Sequence, residues 1–210
     1  MSGPLTLESI RRRIAAPRES VDPRARMLAN IEGPISPGLR IAIDSPGRAA
    51  SVLLMLVERA AGLTVLFTER AAHLKDHAGQ ISLPGGRILA GESAIDAALR
   101  EAQEEIGLRP NDVEVLGVLD ELLTGTGFLI KPVVGYVAAG SFVATPDPTE
   151  VASVFEVPLA FIANPKNVTA AYRDRLGARF RTHELHHSGH RIWGATAAIL
   201  VNFMDVISDE

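Results

Sequence analysis

The chain has 210 residues and a formal net charge of −4 at pH 7. A nucleic-acid-binding domain usually carries a basic excess, so this charge argues against nucleic acid as a partner. No cysteine is present, which excludes a disulfide framework and thiol chemistry. The length suits one substantial hydrophobic core.

Apolar segments of the sequence are short. The longest, residues 49–57, falls well below the about 20 residues that a membrane-spanning helix needs. The N-terminus lacks the apolar core of a secretion signal. We therefore expect a cytoplasmic protein with no membrane partner.

The predicted elements begin with a helix over residues 6–15, which places Leu7, Ile10 and Ile14 on one side. A proline-rich connector follows over residues 17–46. We expect residues 1–45 to pack as a helix and connector on a main domain formed by residues 46–210.

Alternating apolar residues and turn signals then predict a series of strands separated by two helices. The C-terminal helix should start near Thr196 and pack Ile199, Leu200 and Phe203 inward. Strands grouped around two helices indicate an α+β fold. The predicted strands cover residues 50–58, 63–68, 113–118, 128–137, 178–185 and 190–193.

The central helix is predicted over residues 93–106. Ser93 is a suitable N-cap with Asp96 as its capping-box partner, and Gly107 is a suitable left-handed stop. Helical spacing predicts a core-facing stripe on this helix, formed by Ile95, Leu99, Ala102 and Ile106.

Three carboxylates cluster on an adjacent arc of the same helix. Glu101, Glu104 and Glu105 stand at positions i, i+3 and i+4, where like charges repel one another. The last two also oppose the helix dipole. A hard divalent cation with oxygen ligands would remove this repulsion. The alternative is a solvated acidic face. Earlier turns of the arc carry only alanines, which we expect to leave room for a phosphate group: Ala94, Ala97 and Ala98.

This helix belongs to a longer motif over residues 86–108, GRILAGESAIDAALREAQEEIGL. The motif resembles the Nudix box, and its one mild departure is Ala102 at a position for a bulkier aliphatic residue. The resemblance implies a Nudix-type α/β/α sandwich with a mixed β-sheet. It also implies Mg²⁺-assisted hydrolysis of a diphosphate linkage in a small molecule, with Mn²⁺ as a substitute metal. The matching residues are Gly86, Glu92, Arg100, Glu101, Glu104, Glu105 and Gly107.

Roles within the motif follow from the resemblance. Glu101, Glu104 and Glu105 would hold the metal, together with the carbonyl of Gly86. Arg100 would brace the loop through Glu92 or a neighbouring carboxylate. The structural members of the box are Gly86, Glu92, Arg100 and Gly107.

A second motif, over residues 66–86, resembles the signature that precedes the Nudix box in coenzyme A diphosphatases. It matches at Leu66, Thr68, Arg70, Ala71, Gly79, Pro84, Gly85 and Gly86, and departs at Phe67, Lys75 and Leu83. Lys75 replaces an arginine and cannot make the bidentate fork to phosphate. The resemblance implies cleavage of coenzyme A to 3′,5′-ADP and 4′-phosphopantetheine.

Other residues are candidates for substrate contact or proton transfer. Arg70 would contact substrate phosphates or form a surface salt bridge, and Lys75 or His77 would touch substrate from the loop before Gly79. Glu150 lies in a proline-rich loop as a solvated residue or, as in several Nudix branches, a general base. The proton acceptor is therefore Glu150 or one of the helix glutamates.

Four histidines near the C-terminus raise the question of a zinc site. Ser188 and Gly189 between them indicate a hairpin turn, and strand alternation would split the rings between two faces. We therefore expect no zinc site from His183, His186, His187 and His190.

Two other functions stay open. One is a broader hydrolase of nucleoside-diphosphate derivatives such as ADP-ribose or NADH. The other is a non-catalytic nucleotide-sensing module, although such modules typically lose box carboxylates that are all present here. The resemblance further implies a homodimer.

Overall fold

A computed structural model describes residues 5–74, 77–175 and 177–208, so the prediction for Lys75 lies outside the described residues. Within those ranges, no helix combines the length and apolar character needed to cross a membrane. The helices are α1 (Leu7–Ala15), α2 (Pro23–Ala29), α3 (Pro37–Asp44), α4 (Ala94–Ile106), α5 (Leu159–Ile162) and α6 (Gly194–Ser208).

Twelve strands are assigned in the described ranges, and they form two sheets. They are β1 (Ile31–Glu32), β2 (Arg48–Arg59), β3 (Gly62–Arg70), β4 (Ile81–Ser82), β5 (Gly85–Arg87), β6 (Glu114–Val118), β7 (Leu122–Leu123), β8 (Phe128–Val137), β9 (Val151–Pro158), β10 (Thr169–Arg175), β11 (Ala178–His187) and β12 (His190–Trp193).

The larger sheet is mixed. Its order is β4-β3-β2-β8-β6, with β9 beside β3, β5 beside β2 and β7 beside β8. The central pair β2 and β8 is parallel, whereas β5 runs antiparallel to β2. The smaller sheet has the order β1-β11-β10, and β12 pairs with β11.

Side chains of β2 explain the layering, because successive residues of a strand point to opposite faces. Leu53 and Met55 pack in a core cluster with residues of α4. Leu54 and Leu56 pack on the opposite face with residues of α1 and α6. The sheet is therefore covered by helices on both faces, which confirms the expected α/β/α sandwich.

The N-terminal prediction is confirmed for α1 but wrong for the connector. Thr6 caps α1 in a capping box with Ser9, and Ile10 is fully buried. The segment predicted as connector contains α2 and α3, each with a proline in its first turn. A polar N-cap followed by proline is a helix-start signal, and Asp22 and Ser36 supply those caps.

Strand predictions succeed for most long strands, although the eight-residue β9 (Val151–Pro158) was not predicted. The bounds of β8 and β12 match the prediction, and Ile199, Leu200 and Phe203 of α6 are buried as expected. Several strands were not predicted. β10 is almost wholly exposed and lacks an apolar alternation, while β1, β4, β5 and β7 are only two or three residues long.

Candidate active site

Local capping positions α4 as the sequence predicts. The Ser93 hydroxyl accepts a hydrogen bond from the Asp96 backbone N–H at 3.1 Å and donates to the Asp96 carboxylate at 2.6 Å. Gly107 ends the helix with a φ of 71°, a conformation that glycine adopts without steric cost. The N-cap and the glycine stop are confirmed.

The buried face of α4 matches the prediction in part, since Ala102 and Ile106 are fully buried as expected. Ile95 is 37% exposed and Leu99 is only half-buried, whereas Ala97 and Ala98 are fully buried. The alanines therefore do not form an open strip for phosphate. Their small side chains let the helix backbone lie close to the sheet, where the Ser51 hydroxyl donates to the Ala94 carbonyl at 2.6 Å.

This close packing places Glu101 directly over Gly86. A Cβ at Gly86 would lie 2.3 Å from the Glu101 carboxyl carbon and 2.4 Å from each of its oxygens. Real atoms do not approach so closely, so a side chain at position 86 would displace this carboxylate from its present position. The Gly86 backbone and the Glu101 oxygens are thus neighbours, as a shared metal site requires.

Arg100 binds the carboxylates around it. Its guanidinium donates to Glu92 at 2.8 Å, to Glu101 at 2.8 Å and to Glu104 at 3.0 Å. It also donates to the Arg87 carbonyl at 3.0 Å. Hydrogen bonding by Arg100, and then by the Leu89 backbone, lowers the pKa of Glu92. This geometry agrees with the bracing role expected for Arg100.

Glu105 is the buried member of the carboxylate group, with a side chain only 3% exposed. Burial raises its pKa to about 8, against an opposing effect of Arg70 and with added repulsion from Glu101 and Glu150. Its Oε2 atom is buried and has no hydrogen-bond partner among the described residues. An unpartnered buried carboxylate oxygen is costly, and functional sites are where such atoms persist.

Arg70 faces this carboxylate across a short gap. Its Nη1 lies 4.0 Å from Glu105 Oε1, beyond hydrogen-bond distance. The Arg70 Nε is also buried without a hydrogen-bond partner in the described part of the chain. Arg70 and Glu105 thus face each other, and each has one buried polar atom without a hydrogen-bond partner among the described residues.

Glu104 lies at the rim of the site. Its side chain is 56% exposed and pairs with Arg100. Among residues 5–74, 77–175 and 177–208, no three histidine, cysteine, aspartate or glutamate side chains converge as a preformed metal site. The structure places Glu101 and Glu105 deepest, so the equal roles suggested by their spacing do not correspond to equal environments.

The loop that carries Glu150 reaches the same site. The Asp147 backbone N–H donates to the Glu105 carbonyl at 3.0 Å, and the Ala71 N–H donates to the Glu150 carbonyl at 2.9 Å. Glu150 is exposed, and its charge acts on Glu105. The structure thus brings Arg70, Glu105 and Glu150 together from three separate segments.

Two of the histidines singled out in the sequence, His77 and His190, have different surroundings. His77 is exposed, has a φ of 60° and bonds the Gln80 side chain at 2.7 Å. The predicted turn at Ser188 and Gly189 is present between β11 and β12. His190 stacks on Phe155, with ring centroids 3.7 Å apart.

Sequence reasoning missed two residues that hold the Glu150 loop. The Asp147 carboxylate accepts from the Thr149 backbone N–H and hydroxyl, and His73 bonds the Thr149 carbonyl. His73 occupies a variable position of the residue 66–86 motif, so the motif gave no signal for it. The Asp-Pro-Thr sequence was a recognisable turn signal.

Comparisons with known proteins agree with the resemblance of residues 86–108 to the Nudix box. A family model described as the NUDIX domain matches residues 46–176. Proteins described as uncharacterized Nudix hydrolase NudL are similar in sequence. The one from Citrobacter koseri is 42% identical over 156 residues, which covers 73% of this chain and 79% of the relative. That from Pectobacterium atrosepticum is 41% identical over 152 residues, covering 70% of this chain and 76% of the relative.

Solved structures of similar shape include two with partial coverage. A Nudix hydrolase from M. Smegmatis, RenU, has a TM-score of 0.48 and 25% identity, covering 55% of this chain and 73% of that chain. A C. elegans Ap4A hydrolase binary complex has a TM-score of 0.46 and 18% identity. The match covers 53% of this chain and 80% of that chain.

Proposed function

Because the chain belongs to the Nudix hydrolase family, and is thus a hydrolase acting on diphosphate linkages, we propose that its substrate is coenzyme A or a derivative. The products would be 3′,5′-ADP and 4′-phosphopantetheine. One observation carries the proposal: Arg70, within the motif that resembles the coenzyme A signature, faces the buried Glu105 with its Nη1 atom 4.0 Å from the carboxylate.

Two departures from that signature lie in the core. Phe67 is fully buried and Leu83 is 3% exposed, and both pack in the cluster on the α6 side of the sheet. Exchanging one apolar residue for another there adjusts packing. We expect no loss of a substrate contact at either position. This supports the coenzyme A proposal, with Lys75 as the departure that bears on phosphate binding.

The residues present fit a hard divalent cation. Glycine at position 86 leaves space beside the Glu101 carboxylate, and Glu105 has an unpartnered oxygen. Oxygen ligands are those that Mg²⁺ prefers, and Mg²⁺ needs few protein carboxylates because waters and substrate phosphates complete its shell. Glu101 and Glu105 would hold the ion, with Glu104 and the Gly86 carbonyl as further ligands.

Residues of the chain would have distinct roles in the reaction. A bound Mg²⁺ would make a coordinated water more acidic and offset the diphosphate charge. Arg70, whose side chain is 29% exposed beside Glu105, would bind a substrate phosphate. Arg100 would hold Glu101 in place through its bond at 2.8 Å. Glu150, or one of the helix glutamates, would accept the proton of the attacking water.

A substrate panel tests the proposal. The protein with Mg²⁺ would be incubated with coenzyme A, ADP-ribose, NADH and diadenosine polyphosphates, and kcat/KM would be measured from the separated products. We expect the highest kcat/KM for coenzyme A. A preference for ADP-ribose would reject the coenzyme A proposal, and equal values would indicate the broader hydrolase. Nucleotide binding without cleavage would indicate the sensing module.

A further inference from the structure

The segment from Thr145 to Val151 is held at both ends next to the candidate active site. At one end, the N–H groups of Thr145 and Asp147 donate to the Ile106 and Glu105 carbonyls at 2.9 and 3.0 Å. These carbonyls belong to the last turn of α4 and have no partner within the helix. The segment therefore caps the helix that carries the carboxylates.

Inside the segment, Asp147 organises a tight turn. Its side chain accepts from the Thr149 N–H at 2.8 Å and from the Thr149 hydroxyl at 2.7 Å. Its carbonyl accepts from the N–H groups of Glu150 and Val151 at 3.0 and 2.8 Å. The backbone on either side of Glu150 is consequently fixed.

The other end is held by the loop that follows β3. The Ala71 N–H donates to the Glu150 carbonyl at 2.9 Å, and His73 Nε2 lies 3.0 Å from the Thr149 carbonyl. A carbonyl oxygen can only accept, so His73 Nε2 must carry the proton in this bond. The His73 ring thus links the loop after β3 to the turn. Thr149 and Glu150 of the turn are both held through their backbone carbonyls.

We propose that His73 is a positioning residue, which holds Glu150 beside Glu105 through its hydrogen bond to the Thr149 carbonyl. The inference rests on the proposed function, in which Glu150 is a candidate proton acceptor. His73 touches neither substrate nor metal in this scheme. Its contribution is to keep an exposed carboxylate on a surface turn in one place, which matters because small misplacements of a catalytic group are costly.

The test compares three variants in the full chain. His73→Phe keeps an aromatic ring but removes the donor, and it should lower kcat about fivefold with little change in KM, in line with the loss of one exposed hydrogen bond. His73→Gln can place an amide N–H near the position of Nε2 and should recover most of kcat. His186→Phe is the matched control, because its ring is 61% exposed and lies on β11, in the smaller sheet.

A double-mutant cycle shows whether the effect passes through Glu150. His73→Phe should cost much less kcat in a Glu150→Gln background than in the wild-type background, because residues that act together are not additive. Equal losses in both backgrounds would overturn the proposal. An unchanged kcat in His73→Phe would also overturn it.

Hydrogen exchange gives a readout independent of activity. The Ala71 and Val151 amides should exchange several-fold faster in His73→Phe, while the melting temperature stays near that of the wild-type protein. Unchanged exchange at both amides would overturn the positioning role. If the wild-type protein cleaves no diphosphate, the proposed function fails, and the exchange result alone decides whether His73 holds the turn.

Discussion

Burial of the charged Glu105 carboxylate destabilises the fold, and the same carboxylate is suited to hold a divalent cation. A buried carboxylate favours its neutral form, and Glu105 has Glu101 and Glu150 close enough to raise its pKa further. Arg70 offsets only part of this, because its guanidinium stays 4.0 Å away. The unbalanced charge is the kind that a divalent cation would neutralise.

The pH dependence of stability follows from this raised pKa. A carboxyl with a higher pKa in the folded chain stabilises the fold below its ordinary value of 4.5 and loses that contribution as pH rises toward about 8. The metal-free protein should therefore lose stability across this window. Glu105→Gln should raise the free energy of unfolding at pH 8 by about 3 kcal/mol and change little at pH 4.5.

Urea unfolding in the presence of a chelator measures this effect at both pH values. Glu104→Gln is the control, since that side chain is 56% exposed, and it should show no comparable gain. Equal stabilities of the wild-type protein and Glu105→Gln at pH 8 would contradict the account of Glu105.

At the scale of single residues, the sequence predicted which side chains form the site better than it predicted how deeply each one is buried. Spacing placed three glutamates on one helix arc and could not rank them, because depth in the fold depends on which neighbouring loops cover each one. The Gly85 backbone in β5 hydrogen-bonds the Glu105 carboxylate, and the Asp147 backbone N–H in the neighbouring loop donates to the Glu105 carbonyl. Arg100, which the motif marked as a brace, contacts the partners that its helix position allows.

At the scale of the element, α4 and β5 are matched to each other. Alanines on the buried face of α4 allow a close approach to the sheet, and Gly86 accommodates the Glu101 carboxylate that this approach brings. The prediction from helical spacing misplaced Ile95 because it followed the large apolar residues. It overlooked the alanines that form the buried face in the first half of the helix. Fully buried Ala97 and Ala98 show that small size was the relevant property.

Gly86→Ala tests this match. The new Cβ would overlap the Glu101 carboxylate at 2.3 Å, so the helix or the side chain must move. We expect kcat/KM to fall at least about tenfold. The free energy of unfolding should drop by only about 1 kcal/mol or less, because the overlapping atoms are the end of a flexible side chain that can move aside. Both are measured on the purified variant, by steady-state kinetics and urea unfolding.

Gly38→Ala is the matched control for this change, because nothing lies within 4 Å of the Cβ that it would add. It lies in α3 and should keep wild-type kcat/KM. Wild-type kcat/KM in Gly86→Ala would show that the Glu101 carboxylate does not need its present position.

At the scale of the whole molecule, the N-terminal segment packs on the hydrophobic core. Ile10 is fully buried in the cluster that includes α6, and Arg11 pairs with Glu114 on β6. Arg13 donates to the Ile207 carbonyl at 2.6 Å. The NUDIX match starts at residue 46, and we propose that residues 1–45 nevertheless unfold together with residues 46–210.

Ile10→Ala tests this cooperativity. Removing a buried isoleucine side chain should lower the free energy of unfolding by about 2–4 kcal/mol, in a single transition for the whole chain. Ile41→Ala is the control, since Ile41 is 69% exposed, and should change it by less than about 0.5 kcal/mol. A separate early transition, or no change in the main one, would contradict the proposal.

The topology illustrates what a single sequence leaves open. Long apolar strands such as β2 and β8 are visible in the pattern because both faces are buried. β10 is stabilised by pairing with β11 rather than by apolar burial, so its sequence carries no alternation. Short strands such as β5 form because a neighbouring strand supplies their hydrogen bonds, which is a tertiary effect.

Mn²⁺ binding, followed by electron paramagnetic resonance, tests the central claim most directly: Glu101 and Glu105 form one divalent-cation site. The wild-type protein should bind Mn²⁺ and release it when Mg²⁺ is added. The double variant Glu101→Gln/Glu105→Gln should lose at least about tenfold in affinity, while the distant control Glu8→Gln should bind like the wild-type protein. A double variant that is folded and binds Mn²⁺ with wild-type affinity would contradict the account.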